Sequence, residues 1–158
     1  MRAPTDTIAA PMFPKEVQWA NVAMLSMAKQ AGRPVLLEFF DFCRVSSLRT
    51  LEYTKQWHAR YAEEDLRVIS VHCPGYPPSH DVEAVRAAVE RLGIEHPVCI
   101  DQEFLMWRRF ENQGWPARYL FDRRLRLFEY HYGEGAYAET EAAIQELLGV
   151  DRPLIEPL

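Results

Sequence analysis

The chain has 158 residues, enough for one domain with a core and too few for two. Its composition, 48% hydrophobic and 26% charged, reads as an ordinary soluble globular protein. A formal net charge of −5 without a basic block argues against nucleic acid or an anionic membrane as partner, and no apolar run approaches the roughly 20 residues that span a bilayer.

The stretch from Met1 to Pro14 has prolines and no apolar core, so no signal peptide is read there. Three cysteines is an odd number, and none forms a Cys-x-x-Cys pair or a metal-ligand spacing. The expectation is a reduced, cytoplasmic protein without a cofactor or metal site, although a chain trimmed of a leader would read the same way.

In chain order, residues 1–18 read as an extended arm, 19–149 as the domain and 150–158 as a tail. Trp19 to Ala31, rich in Ala and Met before Gly32, predicts a helix. Residues 34–41 form an apolar run interrupted by Glu38, the pattern of a strand buried on both faces. A helix is predicted over 47–63, where Tyr53, Trp57 and Tyr61 recur at four-residue steps. A second strand spans 66–72 and ends in a Pro/Gly loop. Val82, Val85, Val89 and Leu92 mark the next helix, closed by Gly93. Then come a short strand at 97–101, a short helix at 103–112, and strands at 116–122 and 125–132 joined by a turn at Arg123–Arg124. Tyr137, Ile144, Leu147 and Leu148 define a last helix, ended by Gly149. The tail, with two prolines, is read as disordered or directed at a partner. The order αβαβαβαββα implies a mixed sheet with helices on both faces.

The first strand runs through Asp41, Phe42, Cys43, Arg44, Val45, Ser46 and Ser47 into its helix, so this turn lies at the carboxyl end of the sheet. Open α/β folds place their chemistry there.

Together with Trp115-Pro116 ahead of the strand 116–122, this layout resembles the thioredoxin fold. More closely, it resembles the TlpA/redoxin-type domains at the end of DipZ-like cytochrome biogenesis proteins. The shared residues are Leu48-Arg49-Thr50-Leu51, Val71-His72-x-Pro74 and Gly133-Glu134-Gly135-x-Tyr137, and the resemblance covers about residues 19–148. It implies a thioredoxin-like three-layer α/β/α sandwich. It also implies that Glu38 is the acidic residue beneath the active site that assists proton transfer, and that Trp115-Pro116 is the cis-proline element beside the substrate groove. Members of the family carry Cys-x-x-Cys immediately before the Leu-Arg-Thr-Leu element. Aligned without a gap, those cysteines fall on Arg44 and Ser47, and Cys43 stands one residue early.

Dithiol exchange needs an attacking thiolate and a resolving thiol, and serine cannot resolve a mixed disulfide. Two readings remain for Cys43. In one, the turn is shifted and Cys43 sits at the helix N-terminus beside Arg44, activated as a thiolate. In the other it is a small apolar residue at the strand end. Ser46 and Ser47 read as helix N-caps. Arg44 either binds an anion or reaches back to Asp41. Glu38 carries a shifted pKa or is one arm of an ion pair. Cys73 follows a neighbouring parallel strand about 4.8 Å away and is a possible second thiol for Cys43. Cys99 reads as core, and His58, His96 and His131 show no ligand spacing.

The reading is a divergent member of the thiol–disulfide oxidoreductase/redoxin family without its dithiol pair, any redox activity being monothiol at Cys43. Its partners would be protein or peptide thiols and disulfides. The alternative is a redox-inactive module holding an extended peptide or a small anionic ligand in the cis-proline groove.

Overall fold

The computed structural model describes residue 5 and residues 7–158. Six strands form one sheet: β1 (Gln18–Ala20), β2 (Val35–Phe40), β3 (Arg67–His72), β4 (Val98–Ile100), β5 (Ala117–Phe121) and β6 (Leu127–Tyr132), in the order β1-β4-β3-β2-β5-β6. β2, β3 and β4 run parallel, and β1, β5 and β6 are antiparallel to their neighbours. The helices are α1 (Val45–Tyr61), α2 (Val82–Arg91), α3 (Leu105–Arg109) and α4 (Tyr137–Leu148).

All six residues of β2 are buried, as its uninterrupted apolar run requires at the centre of a sheet covered on both faces. The pleat sorts its side chains. Leu36 packs with Trp57, Tyr61, Ala143 and Ile144 from α1 and α4, and Phe40 packs with Leu51 and Val85 from α1 and α2. Leu37 and Phe39 face the other way, onto Met106 and Phe110 beside α3 and onto Trp19 and Met27. The architecture is therefore the three-layer α/β/α sandwich with a mixed sheet.

Three local expectations are corrected. Residues 19–31 are not a helix: they hold part of β1 and a single 3-10 turn at Ala28–Gln30. Helix propensity differs between residues by well under about 1 kcal/mol. It is overridden here by pairing with β4 (Trp19 opposite Cys99), which buries Trp19, and by Asn21, whose left-handed φ of 69° turns the chain out of the strand. The Asn21 amide then donates to the Ile94 and His96 carbonyls at 2.7 and 2.8 Å. Secondly, α1 starts at Val45 rather than at 47, with Arg44 as its N-cap.

Thirdly, the tail is ordered against α1 and α4. Arg152 pairs with Glu64, Arg60 donates to the Pro153 carbonyl, the Ile155 N–H donates to Glu141 (2.7 Å) and the Leu158 N–H donates to the Tyr53 hydroxyl (2.9 Å). Of the expected arm, residues 1–4 and 6 lie outside the described residues. Further on, the Ala10 N–H donates to the Leu125 carbonyl and the Leu127 N–H to the Ile8 carbonyl, extending the sheet edge at β6.

Candidate active-site turn

Because β2 and β3 are parallel, the turn 41–44 and the loop 73–76 leave the sheet at the same edge. Asp41, fully buried, ties them together. Its carboxylate accepts the Cys43 N–H at 3.1 Å and the Gly75 N–H at 2.9 Å, and its own N–H donates to Ser47 Oγ at 3.2 Å. His72 Nε2 lies 3.5 Å and Arg44 Nε 3.7 Å from it. Burial alone would raise the Asp41 carboxyl. Hydrogen bonds from His72, the Cys43 and Gly75 backbone and Ser79 outweigh that and hold it below the usual carboxylate range.

Of the two roles open to Arg44, the structure takes the second: it reaches back to Asp41. Its guanidinium carbon also lies 4.1 Å from the Trp115 ring centroid and 5.0 Å from that of Tyr76. Trp115 is oriented by its Nε1–H, which donates to the Cys73 carbonyl at 3.0 Å, and the Trp115–Pro116 peptide bond is cis. Gly75 is required by this packing, since a Cβ there would stand 2.8 Å from Arg44 Nη2 and 2.9 Å from Asp41 Oδ2. Ser46 and Ser47 do not cap α1. Both lie within its first turn, and Ser47 spends its hydroxyl on Asp41. Val45, the first helical residue, is 62% exposed beside Arg44.

Beneath the turn, on the α1 face of the sheet, Ser70, Glu38 and Arg118 stand in register across β3, β2 and β5. Glu38 is fully buried and accepts hydrogen bonds from Thr54 and Ser70, each at 2.8 Å. Burial pushes its pKa to about 7, against the opposing pull of Thr54, Ser70 and the Arg118 charge. Arg118 gives its own hydrogen bonds to Thr140 and to the Gly135 carbonyl. Of the two readings for Glu38 the structure takes the shifted pKa; Arg118 acts on it through charge alone, with its hydrogen bonds spent on Thr140 and Gly135.

Cys43 lies in the turn, half-buried, two residues before the first helical residue. Cys73 and Cys99 are fully buried. Burial first, and then the Asp101 carboxylate, push both thiols well up. The Cys73 thiol donates to Asp101 Oδ2 at 3.2 Å, and none of the three cysteines is in a disulfide. Among the described residues, no group of three His, Cys, Asp or Glu is placed to hold a metal ion.

No protein-family model matches the chain. Protein DipZ of Mycobacterium bovis is 30% identical over 122 residues, 77% of this chain and 18% of that protein. Thiol-disulfide oxidoreductase YkuV of Bacillus subtilis is 21% identical over 138 residues, 87% of this chain and 93% of YkuV. The chain therefore spans about a fifth of DipZ and nearly all of YkuV. The solution structure of a thioredoxin-like protein in its oxidised form superposes with a TM-score of 0.81, at 21% identity over 90% of this chain and 95% of its own. The chain has the thioredoxin-like fold.

Sequence reading of this thioredoxin-like domain missed several residues that build the site. In the sequence Asp41 reads only as a partner for Arg44, and His72 only as part of a shared motif. Gly75 and Tyr76 looked like loop residues. The signal is weak because His72, Gly75 and Tyr76 meet Asp41, Phe42 and Arg44 across 30 or more positions of chain. Asp101 was missed too, although Asp at a strand end before a helix is a capping signal. It accepts the Leu105, Met106 and Trp107 N–H groups at 2.8, 3.1 and 3.0 Å.

Proposed function

We propose that this domain is a binding module built on a thiol–disulfide oxidoreductase fold, holding an extended peptide along the Trp115-Pro116 edge without dithiol exchange. The observation that carries this is the occupant of the head of α1. The N-cap is Arg44, held by Asp41 and stacked on Trp115 and Tyr76. The residue three positions on, Ser47, is buried. These are the two positions at which the resemblance places the family's cysteines, and neither carries a thiol. Around Arg44 the same edge exposes Val45 and Tyr76, apolar surface that an extended chain can cover.

A second reading, monothiol chemistry at Cys43, is favoured by one observation: Cys43 is the one cysteine that is not fully buried. One set of measurements separates the two. Titration of the 15N-labelled domain with a reduced, alkylated unfolded polypeptide should shift the amide signals of Val45, Gly75, Tyr76 and Trp115, equally in wild type and Cys43→Ser. Insulin-disulfide reduction with dithiothreitol should not exceed the uncatalysed rate. Turnover that disappears in Cys43→Ser would replace the module reading with the monothiol one.

A further inference from the structure

The buried carboxyl of Glu38 lies under the turn, but its hydrogen bonds lead elsewhere. On one side Thr54 is a dead end. Its hydroxyl lies 3.3 Å from the Thr50 carbonyl, which can accept a hydrogen bond but cannot pass a proton on. On the other side Ser70 Oγ, 2.8 Å from Glu38 Oε1, lies 2.7 Å from His96 Nε2. His96 is fully buried, and its Nδ1 has no hydrogen-bond partner within the protein. His96 also lines a cleft of about 260 Å³ between α1 and the segment 93–96, together with Lys55, His58 and Glu95. That volume has room for several water molecules.

We propose that Ser70 and His96 form a proton relay connecting Glu38 to this cleft, with the His96 tautomer set by the charge on Glu38. The inference goes beyond the binding reading and does not depend on it. With Glu38 ionised, Ser70 donates to Oε1 and His96 must donate Nε2–H to Ser70, leaving Nδ1 bare. A proton arriving at Nδ1 from the cleft releases the Nε2 proton to Ser70, and Ser70 releases its own to Glu38. The result is a neutral Glu38 donating to Ser70, Ser70 donating to Nε2, and a proton on Nδ1. One proton has entered, the carboxylate has been neutralised, and the imidazole has changed tautomer without holding a charge at either end state. Burial, with the charges of His58 and Lys55, keeps the His96 ring at about 3, so the neutral ring is its resting form at both ends of the transfer.

The titratable surroundings are defined. Glu38 faces Arg118 from β5. His96 faces His58 and Lys55 from α1. His58 in turn faces Glu95 and Arg67, and Arg118 faces Tyr137, Glu129 and Glu139. The cleft contacts α1 at residues 52–59. At 1.5 Å per residue these lie about 10 to 20 Å along the helix from its start at Val45. A partner covering the turn would therefore leave the proton path to Glu38 open.

Ring-15N-histidine NMR of the intact domain between pH 5.5 and 8.5 tests this. As the pH falls through about 7, His96 Nδ1 should move from a bare-nitrogen to a protonated-nitrogen shift while Nε2 moves oppositely, and the ring should stay neutral. The transition should vanish in Glu38→Gln and Ser70→Ala and return in Ser70→Thr, which keeps a hydroxyl. A wild-type His96 tautomer that is constant across this range would overturn the relay without any variant. So would a transition that persists unchanged in Ser70→Ala.

Discussion

Replacing Glu38 by Gln offers a quantitative test of the buried carboxyl. Gln has nearly the same shape and can still accept from Thr54 or Ser70, so the main loss is the titrating proton. Glu38 rises from 4.5 to about 7 in the folded domain, chiefly through burial. Below pH 4.5 both folded and unfolded chains hold this proton, and the group costs nothing. Between 4.5 and 7 the folded state keeps a proton that the unfolded state has lost, so stability falls by about 1.4 kcal/mol per pH unit. Above pH 7 the whole difference, about 3 kcal/mol, is set against the wild-type fold. Urea unfolding of both proteins at intervals from pH 4.5 to 8.5 measures it, because every other titrating group cancels when the two curves are subtracted. The stability of Glu38→Gln relative to wild type should rise by about 3 kcal/mol across that window and then level off. A flat difference, or one that falls with pH, would refute the assignment of a neutral buried carboxyl held against Arg118.

Three further outcomes follow from named contacts. Gly75→Ala should cost about 1–3 kcal/mol by overpacking, and less in an Arg44→Ala background, since two of the three nearest atoms belong to Arg44; denaturation of both pairs gives the coupling. Asp101→Ala should lose about 1–3 kcal/mol because three N–H groups at the start of α3 lose their acceptor, which thermal unfolding reports. Arg44→Cys with Ser47→Cys should form a disulfide on oxidation, being three residues apart at a helix start. Ser46→Cys alone, which would pair with Cys43, should not. Mass-spectrometric mapping decides, and a bridge formed only between 43 and 46 would reverse the register assigned to the turn.

What the sequence determined by itself was everything carried by local pattern. The uninterrupted run of β2 reads as a buried strand because both its faces are covered. α4 runs from Tyr137 to Leu148 because its apolar spacing is helical and Gly149 accepts the left-handed φ of 69° that ends it. That the chain contains no Cys-x-x-Cys was equally plain, since it is a matter of residue identity alone. Where only the tertiary structure decided, the deciding partner is remote in the chain. Residues 18–20 become a strand because β4 lies beside them, against a helix-favouring composition. The tail is ordered because Glu64 and Glu141 wait for it on other helices. Arg44 could have faced solvent, but burial of Asp41 leaves a carboxylate in need of donors, and the arginine is three residues away on the same turn. His58 and His96 lack ligand spacing in sequence, yet the fold brings their ring centroids to 5.5 Å and joins His96 to Glu38 through Ser70. Such a network depends on strand register, which β2 and β3 set by pairing Glu38 with Ser70, and a register is a property of two segments that neither segment's own sequence contains.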